Sequence, residues 1–264
     1  MATTASSASV NNKLQGKVAI ITGGASGIGE ATAILFAEHG ARAVVIADVQ
    51  DEKGQQLAES IGSDRSTYIR CDVTDENQVK SLVESTVNLY GRVDVMFCNA
   101  GIFNSSIQNI LNFDMAAHQK LFAVNVDGVA ASVKHAARAM VDGGVSGSIT
   151  CTASIAASSS ADRSTDYVMS KCAILGLMRC ASRQLGEHGI RVNCVSPGPV
   201  GTPMAIKMLG VSNQEEAEKA FETNFGLKGS LKVKHIADAA LFLACQDSEF
   251  ITGQNLIVDG GFKF

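Results

Sequence analysis

The stretch Lys17-Val18-Ala19-Ile20-Ile21-Thr22-Gly23-Gly24-Ala25-Ser26-Gly27-Ile28-Gly29-Glu30 decides how the rest of the chain is read. It opens as a short apolar run, continues through four glycines in seven residues, and leads into a helical pattern over 30–39. An apolar run of this length, bounded by glycines, reads as a buried strand, and the glycines as a tight turn that starts a helix. Such a unit aims free backbone N–H groups and the positive end of a helix at an anion, and lets the backbone approach it closely. Glycine turns between strand and helix also arise for structural reasons alone, so the turn by itself decides little. Its spacing, G-x-x-x-G-x-G rather than G-x-G-x-x-G, is the distinguishing feature.

Outward from this unit the same grammar repeats. β-Branched runs recur at 17–22, 43–48, 67–71, 93–98, 148–152, 191–196 and 255–258, with helical patterns between them. These runs are apolar throughout rather than alternating, as in a sheet covered on both faces. In 76–90, Val79, Leu82, Val83 and Val87 form one stripe and leave Glu76, Lys80 and Glu84 for solvent. The alternation predicts an α/β single-domain Rossmann fold, a doubly wound parallel sheet of about seven strands with helices on both faces. One domain over 14–264 follows a disordered tail over 1–13; residues 201–232, helical pieces with no strand between them, read as a substrate lid.

The totals narrow the class. A chain of 264 residues with 46% hydrophobic residues buries a sizeable core. A net charge of -4 without any Lys/Arg block gives no footprint for nucleic acid or an anionic membrane. Seven cysteines without a C-x-x-C pair, most of them inside apolar runs, read as buried reduced thiols. The scattered histidines lack H-E-x-x-H spacing, so no metal is expected. No apolar run reaches the roughly 18 residues of a membrane span, and the expected location is the cytoplasm.

Asp48 ends the second predicted strand 19 residues after Gly29, where an acid accepts both hydroxyls of an adenosine ribose and repels a 2′-phosphate. Neither Ala47 nor Val49 is basic, so NAD is expected in preference to NADP. Tyr167 and Lys171 lie four apart in a predicted helix over 166–185 and share one face of it. A phenol is a poor base near neutrality, but an adjacent ammonium and a positive nicotinamide stabilise its anion. Ser154, thirteen residues earlier, ends a predicted strand at the carboxyl edge of the sheet, where its hydroxyl is placed either to bond a substrate oxygen or to cap the strand end.

Taken together, the glycine turn, Asp72, Asn99-Ala100-Gly101, Asn125, Ser154, Tyr167, Lys171 and Pro197-Gly198 fall in the order of the short-chain dehydrogenase/reductase family, and the chain resembles that family over 17–261. The resemblance implies that Tyr167 is the general base in oxidation and acid in reduction, with Lys171 lowering its pKa and holding the nicotinamide ribose. It implies that Ser154 orients the substrate oxygen and Asn125 holds a relay water. The cofactor set it implies is Gly23, Ser26, Gly27, Ile28, Gly29, Asp48, Asp72, Val73, Asn99, Ala100, Gly101, Tyr167, Lys171, Pro197, Gly198, Val200 and Thr202, with Asp72 and Val73 flanking adenine and Val200 and Thr202 holding the carboxamide. A homotetramer built through the helices over 113–140 and 166–185 is implied as well.

Within the family the chain is most similar to the plant branch that acts on terpenoid alcohols, by its phrases Gly23–Glu30 and Val258-Asp259-Gly260-Gly261. The segment 155–166, Ser/Ala-rich with Asp166 directly before the tyrosine, departs from that branch and leaves the substrate open. Met204, Ile206, Met208, Leu209 and Phe221 in the lid region suit an apolar, uncharged guest, although methionines at helical spacing also serve as ordinary packing. Substrate contacts are expected from Ser154, Ile155, Tyr167, Met204 and Met208. The expected reaction is hydride transfer between NAD and an alcohol, lactol or ketone carbon of a small terpenoid. The alternative is an NAD-holding cyclase or isomerase of an iridoid dialdehyde that performs no net redox chemistry.

Overall fold

The computed structural model describes residues 12–159 and 163–263. The tail expected over 1–13 lies outside them except for Asn12 and Lys13, and Lys13 pairs with Asp247 at 2.6 Å. Seven strands form one parallel sheet: β1 (Val18–Thr22), β2 (Ala43–Asp48), β3 (Ser66–Arg70), β4 (Val95–Cys98), β5 (Ser148–Thr152), β6 (Arg191–Pro197) and β7 (Asn255–Val258). Their order is β3-β2-β1-β4-β5-β6-β7. The chain therefore winds outward from β1 in one direction and from β4 in the other, and the two half-windings meet at the β1–β4 pair. A crevice opens there beyond the carboxyl ends of the strands.

Every residue of β1 and β2 is buried, as continuous apolar strands demand when both faces are covered. On one face lie α3 (Glu76–Tyr90), α5 (Gly128–Asp142) and α6 (Thr165–Leu185), whose Leu82, Met140 and Ile174 join a core with Ile20 and Met96. On the other face, α1 (Gly27–Glu38), α2 (Asp51–Ile61) and α9 (Val233–Ala244) bring Phe36, Leu57 and Ile236 against Ile21, Ile46 and Phe97. The stripe read in α3 is observed: Val79, Leu82 and Val83 are buried and Glu76, Lys80 and Glu84 exposed, with Val87 half-buried. Five cysteines are buried; Cys172 and Cys180 are exposed on α6.

Most boundaries fall within one residue of the sequence expectation, and the starts of α1 and β4 differ by more. Helix α1 begins at Gly27 rather than Glu30, so the last glycines of the turn belong to the first turn of the helix. Strand β4 begins at Val95; just before it the Asp94 carboxylate, 2% exposed, accepts the Val18 N–H at 3.0 Å and both Nε and Nη2 of Arg92, while the Asp94 N–H donates to the Val18 carbonyl at 2.9 Å.

Between β6 and β7 the chain forms α7 (Pro203–Leu209) and α8 (Gln214–Phe221), with no strand over 201–232. After β7 it folds back on the end of this insertion. The Gly226 N–H donates to the Gly260 carbonyl at 3.0 Å, the Lys263 N–H to that of Asn224 at 2.9 Å, and the Phe225 and Phe262 rings meet edge to face at 5.3 Å.

Candidate active site

A cavity of about 650 Å³ lies at the carboxyl ends of the strands and runs from Asp48 past the glycine turn to Met208 and Phe221. The turn forms its floor. Gly23, at φ +63°, lies against the backbone of Ala100, where an added Cβ would stand 2.8 Å from the Ala100 Cα. Gly29 is tighter still: its Cβ would lie 2.1 Å from the Gly23 carbonyl oxygen, so glycine alone lets α1 dock this closely on the turn. Ser26 occupies the amino-terminal cap of α1 in extended conformation without a side-chain cap bond, which leaves the first turn of the helix to offer its N–H groups to the cavity.

The walls are braced from neighbouring strands. The buried Thr22 hydroxyl accepts the N–H groups of Asn99 and Ala100 at 3.1 and 3.3 Å. The Asn99 amide donates to the carbonyls of Thr22 and Gly23, and its oxygen accepts from Thr152 at 3.2 Å. Asn99 thereby stitches β4 to the turn on one side and β5 on the other. At the far end the Asp48 carboxylate, 6% exposed, accepts the N–H groups of Ala25 (3.0 Å), Val49 (2.8 Å) and Gln50 (3.0 Å). These bonds fix its orientation at the cavity rim. Asp72 is held by Thr74, whose hydroxyl donates to it at 2.8 Å.

Ser154, Tyr167 and Lys171 line the other end. Ser154 caps a short 3₁₀ turn (Ile155–Ser158) by accepting the Ala156 N–H at 3.1 Å, and also engages the Tyr167 phenol. The cap and the bond to the phenol thus coexist in one side chain. Lys171, 5% exposed, donates to the Thr152 carbonyl at 2.8 Å and stands 5.5 Å from the centre of the Tyr167 ring. Burial pushes its pKa down to about 8. The phenol does not follow the sequence expectation of a lowered pKa. Burial pushes it above its ordinary value, and the bond with Ser154 opposes this without overcoming it. The ammonium, itself destabilised by burial, is aimed at the Thr152 carbonyl.

Of the other residues expected at the site, Ser26, Gly27, Ile28, Asp72, Val73, Asn99, Ala100, Gly101, Ile155, Pro197, Gly198, Val200, Thr202, Met204 and Met208 all line the cavity. Gly29 and Asn125 do not. Gly29 is packed behind the turn, and Asn125 lies in a π-helical turn (Ala123–Asp127) joining α4 (Met115–Phe122) to α5. There its side chain is wholly buried, accepting the Ile102 N–H at 2.8 Å and donating to the Ile102 carbonyl at 3.0 Å. Met204 and Met208 face the cavity from α7, whose first turn is capped by Thr202; Ile206 and Leu209 do not line it. Sequence reasoning missed Gln50, Thr152, Ile102 and Phe103. Gln50 follows the strand-ending Asp48 by two residues and bonds its carboxylate at 3.2 Å, and Ile102 and Phe103 directly follow Asn99-Ala100-Gly101. That adjacency was the available signal.

Comparison with known proteins agrees with this arrangement. The family described as "Enoyl-(Acyl carrier protein) reductase" matches residues 23–263. The chain is 52% identical over 252 residues to (-)-isopiperitenol/(-)-carveol dehydrogenase, mitochondrial, of Mentha piperita, covering 95% of both chains. It is 54% identical to a (+)-cis,trans-nepetalactol synthase of Nepeta racemosa, covering 94% of both, and 47% identical to secoisolariciresinol dehydrogenase of Forsythia intermedia, covering 96% and 91%. A short-chain type dehydrogenase/reductase from Mycobacterium marinum superimposes with a TM-score of 0.86 at 32% identity, covering 95% of this chain and 97% of that one. Likeness over nearly the full length, in sequence and in overall fold alike, means that the chain belongs to the short-chain dehydrogenase/reductase family.

Proposed function

We propose that the protein is an NAD-dependent dehydrogenase that moves a hydride to or from an alcohol, lactol or ketone carbon of a small apolar terpenoid. The observation that carries this reading is a single cavity bordered at one end by the glycine turn and Asp48 and at the other by Ser154, Tyr167 and Lys171. The cradle suits a dinucleotide: Gly23 lies against the Ala100 backbone and Gly29 against the Gly23 carbonyl, so no Cβ crowds the turn and α1 docks close behind it. Gly23, Ser26, Gly27, Ile28 and Gly29 would hold the pyrophosphate, Asp48 the adenosine ribose, and Asp72 and Val73 the adenine. Asn99, Ala100, Gly101, Pro197, Gly198, Val200 and Thr202 would border the remainder. Lys171 is the sole lysine or arginine among the described residues that line the cavity; Arg70, beside Asp48 on β3, is engaged by the Val49 carbonyl and Asp51, and the Asp48 carboxylate at the rim favours NAD over NADP.

When bound, the dinucleotide gives or takes the hydride and, in its oxidised form, places a positive charge near the phenol. Tyr167 moves the substrate proton, as an acid in reduction and a base in oxidation. Its raised pKa keeps it protonated and ready to donate; oxidation needs added positive charge to make it a base. Ser154 orients the substrate oxygen, Lys171 holds the ribose, and Asn125 supports the proton path from behind the wall. Ile155, Met204 and Met208 give the substrate end its apolar character.

The test is a panel of monoterpenoid alcohols, lactols and ketones with NAD or NADH, read by NADH absorbance and product chromatography. Turnover is expected, and Tyr167→Phe is expected to lower kcat by at least about 100-fold with NADH affinity nearly unchanged. Equal loss of both would overturn the assigned role. A second reading, an NAD-holding cyclase, draws support from likeness to nepetalactol synthase; cyclic product without NADH appearing would select it. The five buried cysteines, all free thiols, suit a reducing compartment. We place the protein in the cytosol as a homotetramer, tested by imaging a fluorescent fusion and by light scattering; the mitochondrion, named for the mint relative, is the other outcome.

A further inference from the structure

One buried carboxylate at this site is used by none of these roles. Asp166 is 1% exposed and immediately precedes Tyr167, yet among the described residues it has no lysine, arginine or histidine as an ion-pair partner. One of its oxygens accepts the Tyr167 N–H at 2.8 Å, and the other accepts from the Asn104 side-chain amide at 2.5 Å. A carboxylate held away from water is unfavourable unless charge-assisted bonds compensate it, so these two donors are strongly retained. The Asn104 amide also donates to the Ala117 carbonyl in α4, at 3.2 Å. The loop after β4 is therefore pinned between two helices.

Next to Asn104 is Phe103, whose ring meets that of Tyr167 edge to face at 5.2 Å and 64°. A second tie lies farther along the same loop. The Gln108 N–H donates to the Arg163 carbonyl at 3.0 Å, and the Thr165 N–H donates to that of Gln108 at 3.1 Å, with Gln108 wholly buried. Gln108 anchors the loop in general, whereas Asn104 fixes the part that reaches the tyrosine.

We propose that Asn104 and Asp166 are positioning residues: their bond clamps Phe103 against Tyr167, so that the two rings form one rigid wall at the substrate end of the cavity. This rests on the reading given under Proposed function and deepens it. Met204 and Met208 line the same cavity. A wall held in one shape favours a rigid ring-bearing alcohol, whose shape is set before binding, over an open-chain one that must lose internal freedom to fit.

The test has two arms. In the first, the protein carries ¹³C at the phenol carbon of its three tyrosines, Tyr68, Tyr90 and Tyr167, and Tyr167→Phe assigns the resonance. Asn104→Ala, Asp166→Asn and Phe103→Leu are each expected to shift the Tyr167 resonance and leave the other two in place. Should Asn104→Ala fail to fold, Asn104→Ser and Phe103→Leu carry the same test. An unmoved Tyr167 resonance in folded protein overturns the clamp, whatever the substrate.

In the second arm, kcat/KM for carveol relative to the open-chain citronellol is expected to fall about tenfold in the same variants, with NADH affinity near wild type. An unchanged ratio overturns the specificity role. Turnover of neither alcohol by the wild type would count against the proposed function, and the tyrosine resonance would still decide the clamp.

Discussion

Lys171 shows how much a single buried charge controls here. Its pKa of about 8 against an ordinary 10.5 means that the folded chain gives up this proton earlier than the unfolded chain. Below pH 8 both states carry the ammonium, and the cost of burying it is fully present. Between about pH 8 and 10.5 the unfolded chain binds more protons, so stability rises with pH, by about 3 kcal/mol in total. Lys171→Met is expected to abolish that rise and to be the more stable protein at pH 7; denaturant midpoints from pH 7 to 10 for both proteins measure it, and parallel curves would refute it. The direction at Tyr167 could not be read from the sequence. The four-residue spacing shows that ammonium and phenol share a helix face, but says nothing of burial around the ring or of the Thr152 carbonyl that takes the ammonium's bond.

At the scale of the element, the decisive contact is α1 against the glycine turn. Gly29→Ala would force a methyl group against the Gly23 carbonyl, a backbone atom that cannot swing aside. The expected result is a loss of about 1–3 kcal/mol in stability and NADH binding at least about tenfold weaker, because the helix shifts and its N–H groups lose their aim. Calorimetric titration with NADH checks this, and wild-type affinity in Gly29→Ala would show that the docking does not govern binding. The strands and most helices were legible because burial on both faces writes itself locally as continuous apolar runs. The ends were not, because an apolar run does not mark where pairing starts: β4 begins at Val95 and α1 at Gly27. Asn125 was legible only by its place in the motif order. Its grip on Ile102, 23 positions away, was not.

Across the whole molecule, the two half-windings of the sheet meet at β1 and β4, and Asp94 holds that seam. Its carboxylate joins the Val18 N–H to Arg92 and Lys17. Asp94→Ala leaves a buried N–H without its acceptor and is expected to cost about 2–4 kcal/mol, seen as a lower denaturant midpoint with unchanged slope; a change under 1 kcal/mol would be the wrong outcome. The fold and the position of the glycine turn were readable at this scale because motif order along the chain maps onto strand order. The clamp between Asn104 and Asp166 joins residues 62 positions apart in segments with no periodic pattern, and only the folded chain brings them together.

The return of the last residues onto 224–227 has a practical side. Because Gly260 and Lys263 bond the end of the α7–α8 insertion, and Phe262 packs on Phe225, anything fused beyond Phe264 tugs on the segment that carries Met204 and Met208. Purification handles belong at the amino end, and a carboxyl-terminal fluorescent label would act as a strain gauge for opening of the insertion.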